Sequence, residues 1–135
     1  MSGPLEGIRV IEVASWMFIP SGGSVLVDWG AEVLKVENPK DGDLARKLGI
    51  LPELNKRLMG TSFIAQNCNK KSITLNTKSA EGKEIFLRLA KNADVVVENF
   101  RPGTMEKLGI GSELLSQRNP RLIYCSVTGF GQTGP

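Results

Sequence analysis

The residues from Asp94 to Gly103 (DVVVENFRPG) carry the clearest candidate chemistry in the chain. Val95, Val96 and Val97 form a β-branched run of the kind found in fully buried strands. The run breaks into Glu98-Asn99-Phe100-Arg101, and Pro102 and Gly103 close it. Open α/β sheets bind ligands just outside the carboxyl ends of their strands. Asn99, Phe100 and Arg101 are therefore a candidate ligand edge, with an amide, an aromatic face and a guanidinium side by side.

Four further groups have the residue types for a site. Asn67, Asn69, Lys70, Lys71 and Lys78 form a polar, basic group that could take phosphates as point charges, or could be a solvated loop. Trp16, Met17 and Phe18 could form an apolar ligand wall or belong to the core. Asp41 and Asp43 lie in a Pro- and Gly-containing loop that lacks the other ligands of a calcium site and reads as a solvated turn. Gly129 to Gly134 (GFGQTG) matches the dinucleotide pattern G-x-G-x-x-G, but the pattern requires a helix opening on its last glycines. Pro135 follows instead, so a glycine-rich active-site loop or a turn is the better reading. Cys68 reads as a bystander thiol, and Glu98 as a carboxylate at a buried strand end.

Alternating strands and helices must position these groups. Ile8–Ala14, Ala31–Glu37, Ser72–Leu75, the Val95–Val97 run and Leu122–Val127 read as five strands. Ser24–Trp29 is predicted as a short helix reached through Pro20 and stopped by Gly30. Ser79 is predicted to cap a helix ending near Asn92, with Ile85, Phe86, Leu89 and Ala90 on its apolar face. A helical turn spans Thr104–Leu108, and Ser112 is predicted to cap another short helix. Leu44 to Asn67 has broken helical spacing and reads as one or two short helices. The pattern predicts an α/β fold, a doubly wound, Rossmann-like parallel sheet. Its last strand lacks a covering helix, so the chain reads as the first part of something longer.

Composition narrows the function. The chain has 135 residues, 41% hydrophobic and 23% charged, enough for one domain. Lys and Arg number 17 against 14 acidic residues, giving a net charge of +3. The basic residues are dispersed and aromatics are few, which does not favour nucleic acid. The absence of histidine excludes a Ser-His-Asp triad, a His general base and a His-ligated metal within these residues. Two distant cysteines argue against a disulfide framework or a zinc site. No apolar run reaches membrane-spanning length and MSGPLEG has no signal-peptide features, so the expected location is cytoplasmic.

Several long segments resemble one family, the class III CoA-transferases, the group that includes formyl-CoA transferase, carnitine CoA-transferase and α-methylacyl-CoA racemase. They are PLEGIRVIEVA (Pro4 to Ala14), DWGAEVLKVENPKDGD (Asp28 to Asp43), Asn67 to Gly109 with its NCNKKSITLNTKS and DVVVENFRPGTMEKLG motifs, and NPRLIYCSVTGFGQTGP (Asn119 to Pro135). They run in family order, and Leu44 to Gln66 is the weakest part of the match. The resemblance implies that residues 1–135 are the N-terminal part of a CoA-binding Rossmann-like domain, in a protein roughly three times this length. It implies an interlocked homodimer, or a second chain supplying the catalytic part. It implies CoA and acyl-CoA as substrates, with no tightly bound cofactor; no metal, nucleic acid or membrane partner is expected from the composition.

The resemblance also implies site residues by position. Met17 and Phe18 follow the first strand, Asn38 the second, Leu75, Asn76, Thr77 and Lys78 the third, and Asn99, Phe100 and Arg101 the fourth. Lys107, with Leu108 beside it, lies in the next helix. Asn38 stands where the family has a phosphate-holding arginine, and an amide cannot replace that charged fork; Lys40 is the nearby substitute. The catalytic aspartate of the transferases falls after Pro135, so no catalytic residue is expected here. Gly129, Gly131 and Gly134 would belong to an active-site glycine loop. Alternative implications are an acyl-CoA racemase of the same family or a non-catalytic CoA-binding module.

Overall fold

The computed structural model describes residues 3–133, so Gly134 and Pro135 of the glycine loop lie outside the described residues. Five strands, β1 (Arg9–Val13), β2 (Glu32–Glu37), β3 (Lys71–Thr74), β4 (Val95–Glu98) and β5 (Ile123–Ser126), form one sheet. Every pairing is parallel, and the order is β3-β2-β1-β4-β5. That order places the topological switch between β1 and β4, where the crossovers leaving these two neighbouring strands run in opposite directions and open a crevice. The five sequence-predicted strands all form, each within one or two residues of its expected bounds.

The helices divide between the two faces. Helix α1 (Phe18–Asp28) covers one face, where Val10, Ala14, Ile19, Ala31, Val33 and Val97 are buried together. Helices α4 (Ala80–Lys91), α5 (Thr104–Lys107) and α6 (Ser112–Arg118) cover the other, over Ile11, Val13, Val36, Phe86, Val96, Met105, Ile110 and Leu115. Alternate residues of β1 thus serve two cores, as the two-residue side-chain period of a strand requires. Between β2 and β3 the chain makes an excursion: a 3-10 turn at Leu44–Lys47 and two short helices, α2 (Pro52–Lys56) and α3 (Thr61–Gln66).

Three local readings change. Helix α1 begins at Phe18 rather than near Ser24, and Pro20 sits inside its first turn. Proline fits there because the first-turn N–H groups have no intrahelical acceptor. Ser112 is the first helical residue of α6, with Gly111 at the cap position and no side-chain cap bond. The Ser79 cap does form, its hydroxyl accepting from the Gly82 N–H at 3.0 Å. On the α1 side, β5 has no covering element among the described residues: Ile123 is 63% exposed and Cys125 is exposed as well.

Two adjacent glycines in α1 make the packing testable. A Cβ on Gly22 meets nothing within 4 Å, whereas one on Gly23 would collide with the Glu12 carboxylate and crowd the Lys70 ammonium. Gly22→Ala should stabilise the fold by about 0.5–1 kcal/mol through helix propensity. Gly23→Ala should destabilise it by about 3 kcal/mol by prising apart a buried ion pair. Urea denaturation of the two variants checks both signs.

Candidate functional site

The carboxyl ends of β1, β2 and β3 rest on a chain of buried charges. Glu12 and Lys35 are opposed residues on β1 and β2, and their side chains meet at 2.8 Å. Lys35 also contacts Asp43 at 2.7 Å and donates to the Ala14 carbonyl at 2.9 Å. The second Glu12 oxygen accepts from Lys70 at 2.8 Å, and Lys70 donates further to the Pro20 carbonyl and to Asn67 Oδ1. Glu12, Lys35 and Asp43 are each at most 1% exposed. Beside them Glu37 takes a two-pronged bond from Arg46, both contacts 2.7 Å, and bonds from Ser72 and the Asp43 N–H. Arg46 stacks over the Phe63 ring at 3.7 Å, which ties the excursion to β2.

The protonation states follow from these contacts. Burial alone would raise the Glu37 carboxyl, but the bonds from Arg46, Ser72 and the Asp43 N–H outweigh it and hold it down at about 2. Asp43 shifts downward for the same reason: burial opposes the shift, and Lys35 with the Ala45 and Trp16 N–H groups drives it. Burial lowers Lys70 despite the Glu12 charge. On the opposite side of the sheet, burial raises the Tyr124 hydroxyl, reinforced by the Glu98 and Glu106 charges.

This network corrects two sequence readings. Asp43 is not in a solvated turn but is an internal counter-charge. Lys70 is neither a solvated residue nor a free phosphate contact, because all of its visible bonds are internal. Lys71 pairs with Glu32 on the surface. The described residues contain no group of three or more His, Cys, Asp or Glu side chains able to hold a metal. The network left one signal in the sequence, a Glu in the first apolar strand and a Lys in the second. Its meaning requires knowing that those strands are neighbours in register.

Above the network lies the cleft. It opens at the β1–β4 switch point, measures about 990 Å³, and is lined by Trp16, Phe18, Asn99 to Pro102 and Val127 to Thr133. That volume suits a sizeable small-molecule ligand, since such pockets run to roughly 1,000 Å³. Trp16, Phe18 and Phe130 present exposed aromatic surface to it. The Asn99 amide grips the turn after β1: its Oδ1 accepts from Ser15 N–H at 3.1 Å and its Nδ2 donates to the Ser15 carbonyl at 2.7 Å. Glu98 accepts from the Phe100 N–H at 2.7 Å and so shapes the turn after β4.

Phe18, Asn99, Phe100, Arg101, Gly129 and Gly131 of the sequence-predicted set therefore meet around one cleft. Met17 caps α1 next to it and is half exposed. Asn38, Leu75, Asn76, Thr77, Lys78 and Lys107 lie outside its lining; the first five follow β2 and β3 along the same sheet edge, and Lys107 ends α5. Asn38 works as a turn former, its Oδ1 accepting from the Lys40 N–H at 2.8 Å. Lys78, Arg101 and Lys107 are exposed, and among the described residues no carboxylate pairs with them. No helix opens on the glycine loop within the described residues, and Gly131 adopts a left-handed φ of +81°, which is turn geometry.

The model of CoA-transferase family III matches residues 5–135. The chain belongs to that family. Among family relatives, the β subunit of succinyl-CoA–L-malate CoA-transferase from Chloroflexus aurantiacus is 46% identical over 132 residues, covering 98% of this chain and 32% of that protein. The succinate–glutarate CoA-transferase of Agrobacterium fabrum is 46% identical over 135 residues, covering 98% and 34%. A crystal structure of a variant of a Mycobacterium tuberculosis protein superposes with a TM-score of 0.90 at 46% identity, over 99% of this chain and 35% of that one. The chain thus spans about a third of the length of the curated relatives it matches. No described helix is long and apolar enough to cross a membrane.

The network makes two predictions. Lys35→Met leaves Asp43 and part of Glu12 buried without compensation, and should cost about 3–5 kcal/mol in urea denaturation. The folded pKa of Glu37 lies below its unfolded value of 4.5, at about 2. Its contribution, on the order of 3 kcal/mol, is therefore fully present above pH 4.5 and lost as the pH falls toward 2. Unfolding free energies measured across that window should drop with acid, and Glu37→Gln should flatten the drop.

Proposed function

We propose that this chain forms the coenzyme-A-contacting part of a class III CoA-transferase, which moves CoA between an acyl-CoA thioester and a free carboxylic acid. The observation carrying this reading is the aromatic- and guanidinium-lined cleft at the switch point of a chain belonging to CoA-transferase family III. The exposed cations Lys78, Arg101 and Lys107 suit the phosphates of CoA, and Trp16, Phe18 and Phe100 suit the flat adenine and the pantetheine arm. Met17, Asn38, Leu75, Asn76 and Thr77 complete the contact set along the same sheet edge.

In the proposed reaction an aspartate located after Pro135 attacks the thioester carbonyl. The C–S bond breaks, CoA leaves as the thiolate, and an aspartyl mixed anhydride remains. The thiolate then attacks the aspartyl carbonyl, releasing the first acid and forming an aspartyl-CoA thioester. The acceptor carboxylate repeats the sequence in reverse. This is covalent catalysis by a carboxylate. Gly129, Gly131 and Gly134 would shield the anhydride from water. Assembly with a second copy or a second kind of chain belongs to the same proposal, and the α and β subunits named among the Chloroflexus relatives support partnered chains.

Titration calorimetry with CoA tests the reading. Binding should be seen, and Lys78→Ala and Lys107→Ala should each weaken it about tenfold, roughly 1.4 kcal/mol, with unchanged circular dichroism. Absence of heat at millimolar CoA would sink the proposal, and unchanged affinity in both variants would remove the phosphate assignment.

A further inference from the structure

The cleft wall depends on a backbone conformation that its own residue disfavours. Trp16 has φ +78°, in the left-handed region where bulky L-residues are rare. Such geometry persists only where the surroundings over-determine it. Here Asp43 Oδ1 accepts from the Trp16 N–H at 3.1 Å, from Ser15 Oγ at 3.0 Å and from the Ala45 N–H at 2.8 Å. Ser15 Oγ accepts in turn from the Leu44 N–H at 3.2 Å. Asn99 holds both backbone groups of Ser15 from the opposite side. The Asp43 side chain is fully buried, its other oxygen faces Lys35 at 2.7 Å, and it does not line the cleft.

We infer that Asp43 is a positioning residue for ligand binding: its Oδ1 holds Trp16 in the left-handed turn that presents Trp16 and Phe18 to the cleft. The inference rests on the CoA reading and deepens it, because it assigns the shape of the aromatic wall to a carboxylate that never touches the ligand. One oxygen joins the turn after β1 to the loop after β2. The charge on the other side answers Lys35. The two oxygens therefore have separable tasks, and substitutions can separate them.

Asn keeps an oxygen that accepts from the three donors, and three donors outweigh one in setting its orientation. Its NH2 group then faces the Lys35 ammonium, so the counter-charge is lost. Ala loses both tasks. Asp43→Asn and Asp43→Ala should both lower the urea midpoint. Asp43→Asn should keep CoA affinity within about threefold of the parent, whereas Asp43→Ala should weaken it at least about tenfold. In a Trp29→Phe background, which leaves Trp16 as the one tryptophan of these 135 residues, iodide quenching of the fluorescence should change in Asp43→Ala and not in Asp43→Asn.

Equal loss of affinity in the two variants would reduce Asp43 to a structural counter-charge and overturn the inference, as would full affinity in both. Should the unsubstituted protein not bind CoA at millimolar concentration, the CoA reading fails by itself. The quenching comparison then still decides the assignment: unaltered quenching in Asp43→Ala overturns it. Should Asp43→Ala not fold, Ser15→Ala removes one of the three donors while leaving the Lys35 pair intact. It should weaken CoA binding about threefold and lower the urea midpoint less than Asp43→Asn does, and unchanged affinity would overturn the inference.

Discussion

The Glu12–Lys35–Asp43 contact is the constraint on which the carboxyl edge of the sheet depends. Three charges with at most 1% exposure cannot be left apart in a low-dielectric interior. Each therefore fixes the position of the segment that carries it. Glu12 and Lys35 lock β1 and β2 in register, Asp43 draws the loop after β2 back over the strand ends, and Lys70 anchors the approach to β3 against α1. Gly23 leaves the space on α1 that lets Lys70 reach Glu12. Replacing such a network by apolar side chains need not destabilise a protein; what an ionic network does here is specify where the loops go.

Those loops make the cleft. The same Asp43 that answers Lys35 bonds to Ser15 and Trp16, and Asn99 reaches across from β4 to the same turn. The crevice of a doubly wound sheet arises from topology, since neighbouring crossovers diverge at the switch point. Topology alone leaves its walls undefined. The hydrogen bonds that Asp43 accepts from Ser15 and Trp16, with those Asn99 makes to Ser15, define one wall, and the turns after β4 and β5 define the other. Positive φ at Trp16 concentrates backbone strain at that wall.

The strand pattern was legible because buried parallel strands are read from local composition. The Val95–Val97 run and IRVIEVA needed no knowledge of partners. The Ser79 cap was equally local, since its hydroxyl bonds three residues away. Helix α1 starts earlier than its sequence predicts because Trp16 to Phe18 reads as an apolar loop until the left-handed turn at Trp16 is known. Asp43 departs from its predicted role for a deeper reason. In a loop with Pro39 and Gly42 an aspartate looks solvated, and only the folding of that loop back over Lys35 and onto the turn after β1 buries it.

The sequence by itself determined the alternation of strands and helices, the class of the fold and, through its long motifs, the family. Each of these is written in residues close together along the chain. The tertiary structure alone decided which of the polar residues pair with one another and which stay in solvent. Lys70, Asp43 and Asn99 turned inward, while Lys78, Arg101 and Lys107 stayed in solvent. The buried ion pairs that join separate segments, Lys35–Glu12 and Lys70–Glu12, span 23 and 58 positions in sequence. Local pattern carries no information at that range; the pairing follows from strand order and register, and these exist only once the sheet has formed.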